Sequence, residues 1–253
     1  VTALIRQATT AAISYSNAED RQEVRDRLVA ILATGLRDAM PGSDHQVAYA
    51  NGLATAATTD AADLLKGWLS GEEVPEGLSI DQGMRWRLVT ALARVGRVGE
   101  DEIAAELQRD NTISGSEQAA GARAAMPTAQ AKQAAWQRAT TDDSVPNETY
   151  RQLVMQFIQP DQTEVLSPYV DPYLELCKAI DSHEGQWAKA GHAQVQNALM
   201  WLFPSTEVID AAWLNKLEGW VSDNDPGSTV RRVLAERADN ARRILRCQEA
   251  SRG

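Results

Sequence analysis

Apolar residues along this chain recur at three- and four-residue intervals almost everywhere, and that spacing limits most strongly what it can fold into. Val24, Leu28, Ile31, Leu32 and Leu36 make one stripe, Met84, Leu88, Val89, Leu92 and Val95 a second, and Tyr150, Leu153, Val154, Phe157 and Ile158 a third. Ala188, His192, Val195, Leu199 and Leu202 follow, and the longest stripe runs from Val230, Val233 and Leu234 through Ala238 and Ala241 to Ile244 and Leu245. At 3.6 residues per turn these positions share one side of a helix, so each segment has a face to bury and a face to leave in water. A half-buried strand would alternate every second residue, and no run of β-branched or aromatic residues does so. The fold class read from this is all-α.

Turn and cap residues set the expected helix limits. Ser43-Asp44-His45-Gln46, Ser79-Ile80-Asp81-Gln82 and Ser114-Gly115-Ser116-Glu117 fit the capping box, in which the first side chain accepts from the backbone three residues on and the fourth reaches back. Asp225-Pro226 places a good N-cap before a proline at the first helical position. Pro41-Gly42, Pro75-Glu76-Gly77 and Pro204-Ser205 mark turns. Helices are expected over 2–15, 19–39, 44–58, 60–70, 80–96, 99–109, 115–125, 129–140, 146–158, 161–180, 185–202, 206–221 and 226–248. A compact bundle of so many helices would need several that are apolar all round. One-faced helices instead suit antiparallel pairs stacked side by side, an α-solenoid forming a HEAT- or armadillo-like superhelix. No Gly- or Pro-rich linker interrupts the chain, so 1–253 reads as a single domain.

Charge narrows the partners. The 25 Lys and Arg against 35 Asp and Glu give −10, the wrong sign for a phosphate backbone or an anionic membrane surface, so neither nucleic acid nor membrane is an expected partner. No apolar run approaches the length of a membrane span. Cys177 and Cys247 are too far apart to be a metal-ligand pair and read as two idle thiols. The chain begins at Val1 inside an amphipathic pattern, without an initiator Met, and so reads as the tail of something longer.

No pattern of catalytic groups is complete in this sequence. The zinc-peptidase pattern H-E-x-x-H places two imidazoles and a base on one helix face. His183-Glu184 is followed by Gly185, Gln186 and Trp187, so the second histidine is missing, and His192 lies in the wrong helical phase. No G-x-S-x-G elbow, P-loop or dinucleotide fingerprint occurs. Acidic clusters such as Glu72-Glu73, Glu100-Asp101-Glu102 and Asp142-Asp143 read as partners of helix N-termini and solvated surface. The seven tryptophans, Trp68, Trp86, Trp136, Trp187, Trp201, Trp213 and Trp220, fall on separate helices and read as packing residues. No catalytic and no metal residue is assigned, and no cofactor is expected in this chain.

Several stretches taken in order carry a resemblance. Pro41-Gly42-Ser43-Asp44-His45-Gln46 is followed by the segment from Asp81-Gln82-Gly83-Met84-Arg85-Trp86-Arg87-Leu88 to Gly96-Arg97-Val98-Gly99-Glu100. Glu106-Leu107-Gln108-Arg109-Asp110-Asn111-Thr112 comes next, and then the run from Ala119 through Ala125-Met126-Pro127-Thr128 to Trp136. Phe157-Ile158-Gln159, Tyr169, Tyr173, Leu202-Phe203-Pro204-Ser205 and Arg231-Arg232 keep the order. The series resembles the C-terminal, ERAP1-C-like region of actinobacterial aminopeptidases N, of the M1 zinc metallopeptidase family, over essentially the whole chain. The resemblance implies a parent enzyme that removes N-terminal residues from peptides, with its zinc in a catalytic domain absent here. Neither H-E-x-x-H nor the G-x-M-E-N amine-binding loop of that family occurs in this sequence.

The resemblance further implies that this domain is α-helical and bowl-shaped, covers the active-site cleft, and limits or helps bind peptide. Its expected partners are the catalytic domain of the same polypeptide and the peptide substrate, and its expected location is the bacterial cytoplasm. Asp44, His45, Arg85 and Arg87 are the polar residues chosen as substrate-cleft candidates, with capping or ion pairing as the competing reading of each. If the chain starts inside the family domain, an exposed apolar edge is expected near Leu4, Ile5 and Ile13. The alternative reading is a free-standing HEAT-like scaffold that binds protein partners.

Overall fold

The structure is a computed structural model and describes residues 1–251. Helix is the only regular structure among the described residues, which contain no strand. The chain divides into two compact units. The first is Val1–Gly115 together with the chain end from Cys247, and the second is Ser116–Arg246.

The first unit begins with α1 (Thr2–Thr10), which passes into a π-helical turn, Ala11–Tyr15. α2 (Arg21–Asp38) buries Leu28, Leu32 and Leu36 along one line, each worth ~1.5–3 kcal/mol against exposure. α3 (Asp44–Ala56) is rich in small residues because it is enclosed: it packs against α1, against α2 and against α5 (Gln82–Arg94). A side chain at Gly35 would run into the Tyr49 ring, and one at Gly52 would stand 2.7 Å from Ile5 Cγ2, so these glycines set how closely α1, α2 and α3 approach. A short 3₁₀ turn, Thr59–Ala61, leads into α4 (Ala62–Ser70), whose Leu65 and Trp68 pack inward; α6 (Glu100–Arg109) follows α5.

The second unit holds most of α7 (Ile113–Ala125), then α8 (Ala129–Thr141), α9 (Asn147–Met155), the four-residue α10 (Thr163–Leu166), α11 (Val170–Asp181), α12 (His192–Trp201), α13 (Ala211–Asn224) and most of α14 (Ser228–Ala250). One apolar cluster runs through it, drawing on Tyr150, Leu153, Val154 and Phe157 of α9 and its exit turn, Tyr173 and Cys177 of α11, Leu199 of α12, Leu214 of α13 and Val233 and Leu234 of α14. Tyr173, Phe203 and Trp213 stack edge-on or tilted, with ring centres 5.5–6.4 Å apart, and the Tyr173 hydroxyl donates to the Leu199 carbonyl at 2.6 Å. Four of the tryptophans, Trp68, Trp86, Trp187 and Trp213, are buried.

Several expected limits move, each for a local reason. The Ser43 cap forms, with its hydroxyl accepting from the Gln46 amide, but the Gln46 side chain reaches back to Gly42 rather than to Ser43. The second expected box is displaced: Asp81, not Ser79, caps α5 by accepting from Met84 N at 2.8 Å. Thr112, not Ser114, accepts from Gly115 N at the start of α7. Asp225 does not open the last helix but closes α13 in the left-handed region at φ 47°, with the side chain paired to Arg231. The single helix expected over 161–180 is broken at Ser167–Tyr169, where Pro168 can donate no amide hydrogen bond. The helix expected from 185 is a 3₁₀ turn, Gly185–Ala188, and α12 starts only after the extended Gly191. His192, placed in a buried stripe by its spacing, is exposed at that start.

Candidate functional site

Asp44 and His45 form the exposed first turn of α3, immediately after the Ser43 cap, and neither side chain has a hydrogen-bond partner among the described residues. Arg85 and Arg87 stand two residues apart on α5 and therefore point about 200° apart around the helix. Arg87 is exposed and donates to Asn51 Oδ1 on α3. Arg85 turns to α6, where Nε and an Nη hold the two oxygens of Glu106 at 2.8 and 2.6 Å, while the other Nη donates to the Leu69 carbonyl at 3.0 Å. Among the described residues no hydrogen bond or ion pair joins any two of the four candidates.

Glu106 is the centre of this arrangement. It is 5% exposed and also accepts from Gln82 Nε2 at 3.0 Å. Burial alone would raise its pKa, but the hydrogen bonds from Arg85 and Gln82 and the charges of Arg85 and Arg109 outweigh it and hold the carboxyl below its ordinary value. The hydrogen bond with Glu106 in turn raises the Arg85 pKa. Arg85 therefore ties α5 to α6 and to the end of α4, as an ion-paired side chain does.

Three buried basic side chains had no place in the sequence reading. In the first unit Arg25 and Arg94 both donate to the Ala57 carbonyl just past α3, at 3.2 and 2.8 Å, and Arg94 also reaches the Thr55 carbonyl at 3.2 Å. Positive charge at a helix C-terminus meets unsatisfied carbonyls and the negative end of the helix dipole. Burial, and then the nearby charge of Arg25, lower the Arg94 pKa to about 10. In the second unit Lys132 of α8 is fully buried, and its amine donates to the carbonyls of Ala124 and Phe157 at 2.7 and 2.6 Å. Burial lowers its pKa to about 7. The signal was present: Arg25 continues the line of Leu28, Leu32 and Leu36, and Lys132 that of Ala135 and Ala139. A basic residue in a core stripe here meets carbonyls at or just past a neighbouring helix end.

Among the described residues no three His, Cys, Asp or Glu side chains come together in a way that could hold a metal ion, so these residues do not fit a zinc site. No helix among them is long and apolar enough to cross a membrane. Cys177 is buried and Cys247 exposed, both unpaired; burial raises the Cys177 thiol pKa to about 12. An open apolar groove of about 500 Å³ lies in the first unit, lined by Ala8, Ala12, Tyr15, Val24, Leu28 and Ile31 among others. At the apolar edge expected from the sequence, Leu4 is 69% exposed while Ile5 and Ile13 are half-buried.

Residues 1–243 match the family described as the ERAP1-like C-terminal domain. The chain belongs to that family. It is also 37% identical, over 251 residues, to an aminopeptidase N of Streptomyces lividans. That alignment takes in 99% of this chain but 28% of the relative, so the chain spans little more than a quarter of the relative's length. The ERAP1-like match begins in the first compact unit and ends in the second. The chain is thus an all-α C-terminal domain of an aminopeptidase N-like protein.

Proposed function

We propose that this ERAP1-like domain is the non-catalytic C-terminal part of a zinc-dependent M1 aminopeptidase that removes N-terminal residues from peptides. In this reading it lies over the active-site cleft, excludes or holds peptide according to length, and has the catalytic domain of the same polypeptide and the peptide substrate as its partners. The observation that carries the reading is the 37% identity to an aminopeptidase N along 99% of the chain. A family match running across both compact units supports treating them as one functional domain. Zinc belongs, on this reading, to residues outside this chain. Asp44, His45 and Arg87 are the candidates open to a peptide, while Arg85 is committed to Glu106. The bacterial cytoplasm is the proposed location, which fractionation of the source cell checks.

Two assays test the proposal. The purified chain, given a fluorogenic aminoacyl amide with and without Zn²⁺, should release no product; zinc-dependent release would refute the non-catalytic assignment. A full-length enzyme and its version lacking this domain should differ in their ratio of kcat/KM for long and short peptides. An unchanged ratio would remove the domain from substrate selection.

A further inference from the structure

The Lys132 amine is buried without a counter-ion among the described residues. Its Nζ lies between the carbonyl of Ala124, in the last turn of α7, and that of Phe157, in the turn after α9, with the Phe157 ring centre 5.3 Å away. Charged side chains on the elements around it are Glu117 and Arg123 of α7, Arg138 of α8, Glu148 and Arg151 of α9, Asp161 in the turn after α9 and Glu164 of α10; the 3₁₀ turn Gly185–Ala188 has none. None of them pairs with the amine, and Glu148 is engaged by Arg151. A neutral amine has two N–H donors and an ammonium three. Two carbonyl acceptors match the neutral form. A third proton finds no third hydrogen-bond acceptor among the described residues, and the nearby Phe157 ring is a weaker partner for a buried charge than a carboxylate.

We propose that Lys132 is a proton-linked clamp of the second unit: its neutral amine joins the end of α7 to the exit of α9, and protonating that amine loosens the unit. The direction follows from the acid–base balance. Burial lowers the folded pKa from 10.5 to about 7, so between these values the unfolded chain binds a proton that the folded chain does not. This contribution to stability therefore rises with pH above about 7, and acidification to pH 7 or below withdraws it.

The test compares chemical denaturation of the whole chain and of Lys132→Met from pH 6 to pH 9. The histidines, the other lysines and the thiols are common to both proteins and cancel in the difference. Relative to the variant, the wild-type folding constant should rise by up to about tenfold per pH unit above pH 7; parallel profiles would overturn the proposal. Should Lys132→Met not fold, the ¹⁵Nζ shift of Lys132 in the native chain decides. A midpoint near 7 supports the clamp, and one at the ordinary lysine value of 10.5 rejects it.

Discussion

Arg85 and Glu106 show how far a single polar pair organises its surroundings. Arg85 is 16% and Glu106 5% exposed at the side chain, and the guanidinium grips both carboxylate oxygens. Removing one partner leaves the other buried and uncompensated. Glu106→Gln should cost ~2–3 kcal/mol in denaturant unfolding. Because the folded Glu106 pKa lies below its ordinary 4.5, the pair's stabilisation is complete above that value and is lost as pH falls through the folded pKa. The wild type should therefore converge on the variant in acid, and a constant gap from pH 7 to pH 3 would contradict this. Arg25 and Arg94 follow another rule, that of a buried cation supported by helix-end carbonyls in place of a carboxylate.

At the scale of elements, turns and caps fix where each helix starts. Gly77 has φ +81°, and a Cβ there would collide with the amide nitrogen of Gly42 in the turn before α3. The Gln46 side chain fastens the same place, accepting from Gly42 N and donating to the Glu76 carbonyl, both at 2.8 Å. Gly77→Ala should destabilise the chain by at least ~1 kcal/mol from the backbone conformation alone; an unchanged thermal midpoint would show that the two turns can separate freely. The stripes on α2, α5, α9 and α14 were legible because periodic burial leaves a periodic sequence. The Ser43 cap was legible because its partner is three residues away. The breaks at Ser167–Tyr169 and Gly185–Ala188 were not, since apolar spacing continues across them while Pro168 and Gly191 interrupt the backbone ladder. The roles of Arg85 and Arg87 were hidden for a different reason: their partners lie 21 and 36 residues away, a separation that no local pattern encodes.

At the scale of the whole molecule, charge sets the behaviour in solution. The net −10 and a pI near 4.9 keep like molecules apart at neutral pH. Static light scattering should show attraction strongest close to pH 4.9, weakening on both sides; repulsion persisting through that pH would mean that the exposed carboxylates titrate abnormally. Membership of the ERAP1-like C-terminal family was legible from the order of several stretches, since 37% identity over 99% of the chain preserves segment after segment. Among the described residues no hydrogen bond or ion pair joins any two of the four substrate-cleft candidates, whose role belongs to the proposed function.

The two thiols give the chain a built-in counter. Cys247 is exposed and Cys177 is buried with its thiol held protonated, and only thiolate in contact with solvent reacts readily. A maleimide dye should therefore add one label per native chain and two per unfolded chain. The mass of the labelled product then reports the opening of the second unit, where Cys177 lies, molecule by molecule and without any engineered probe.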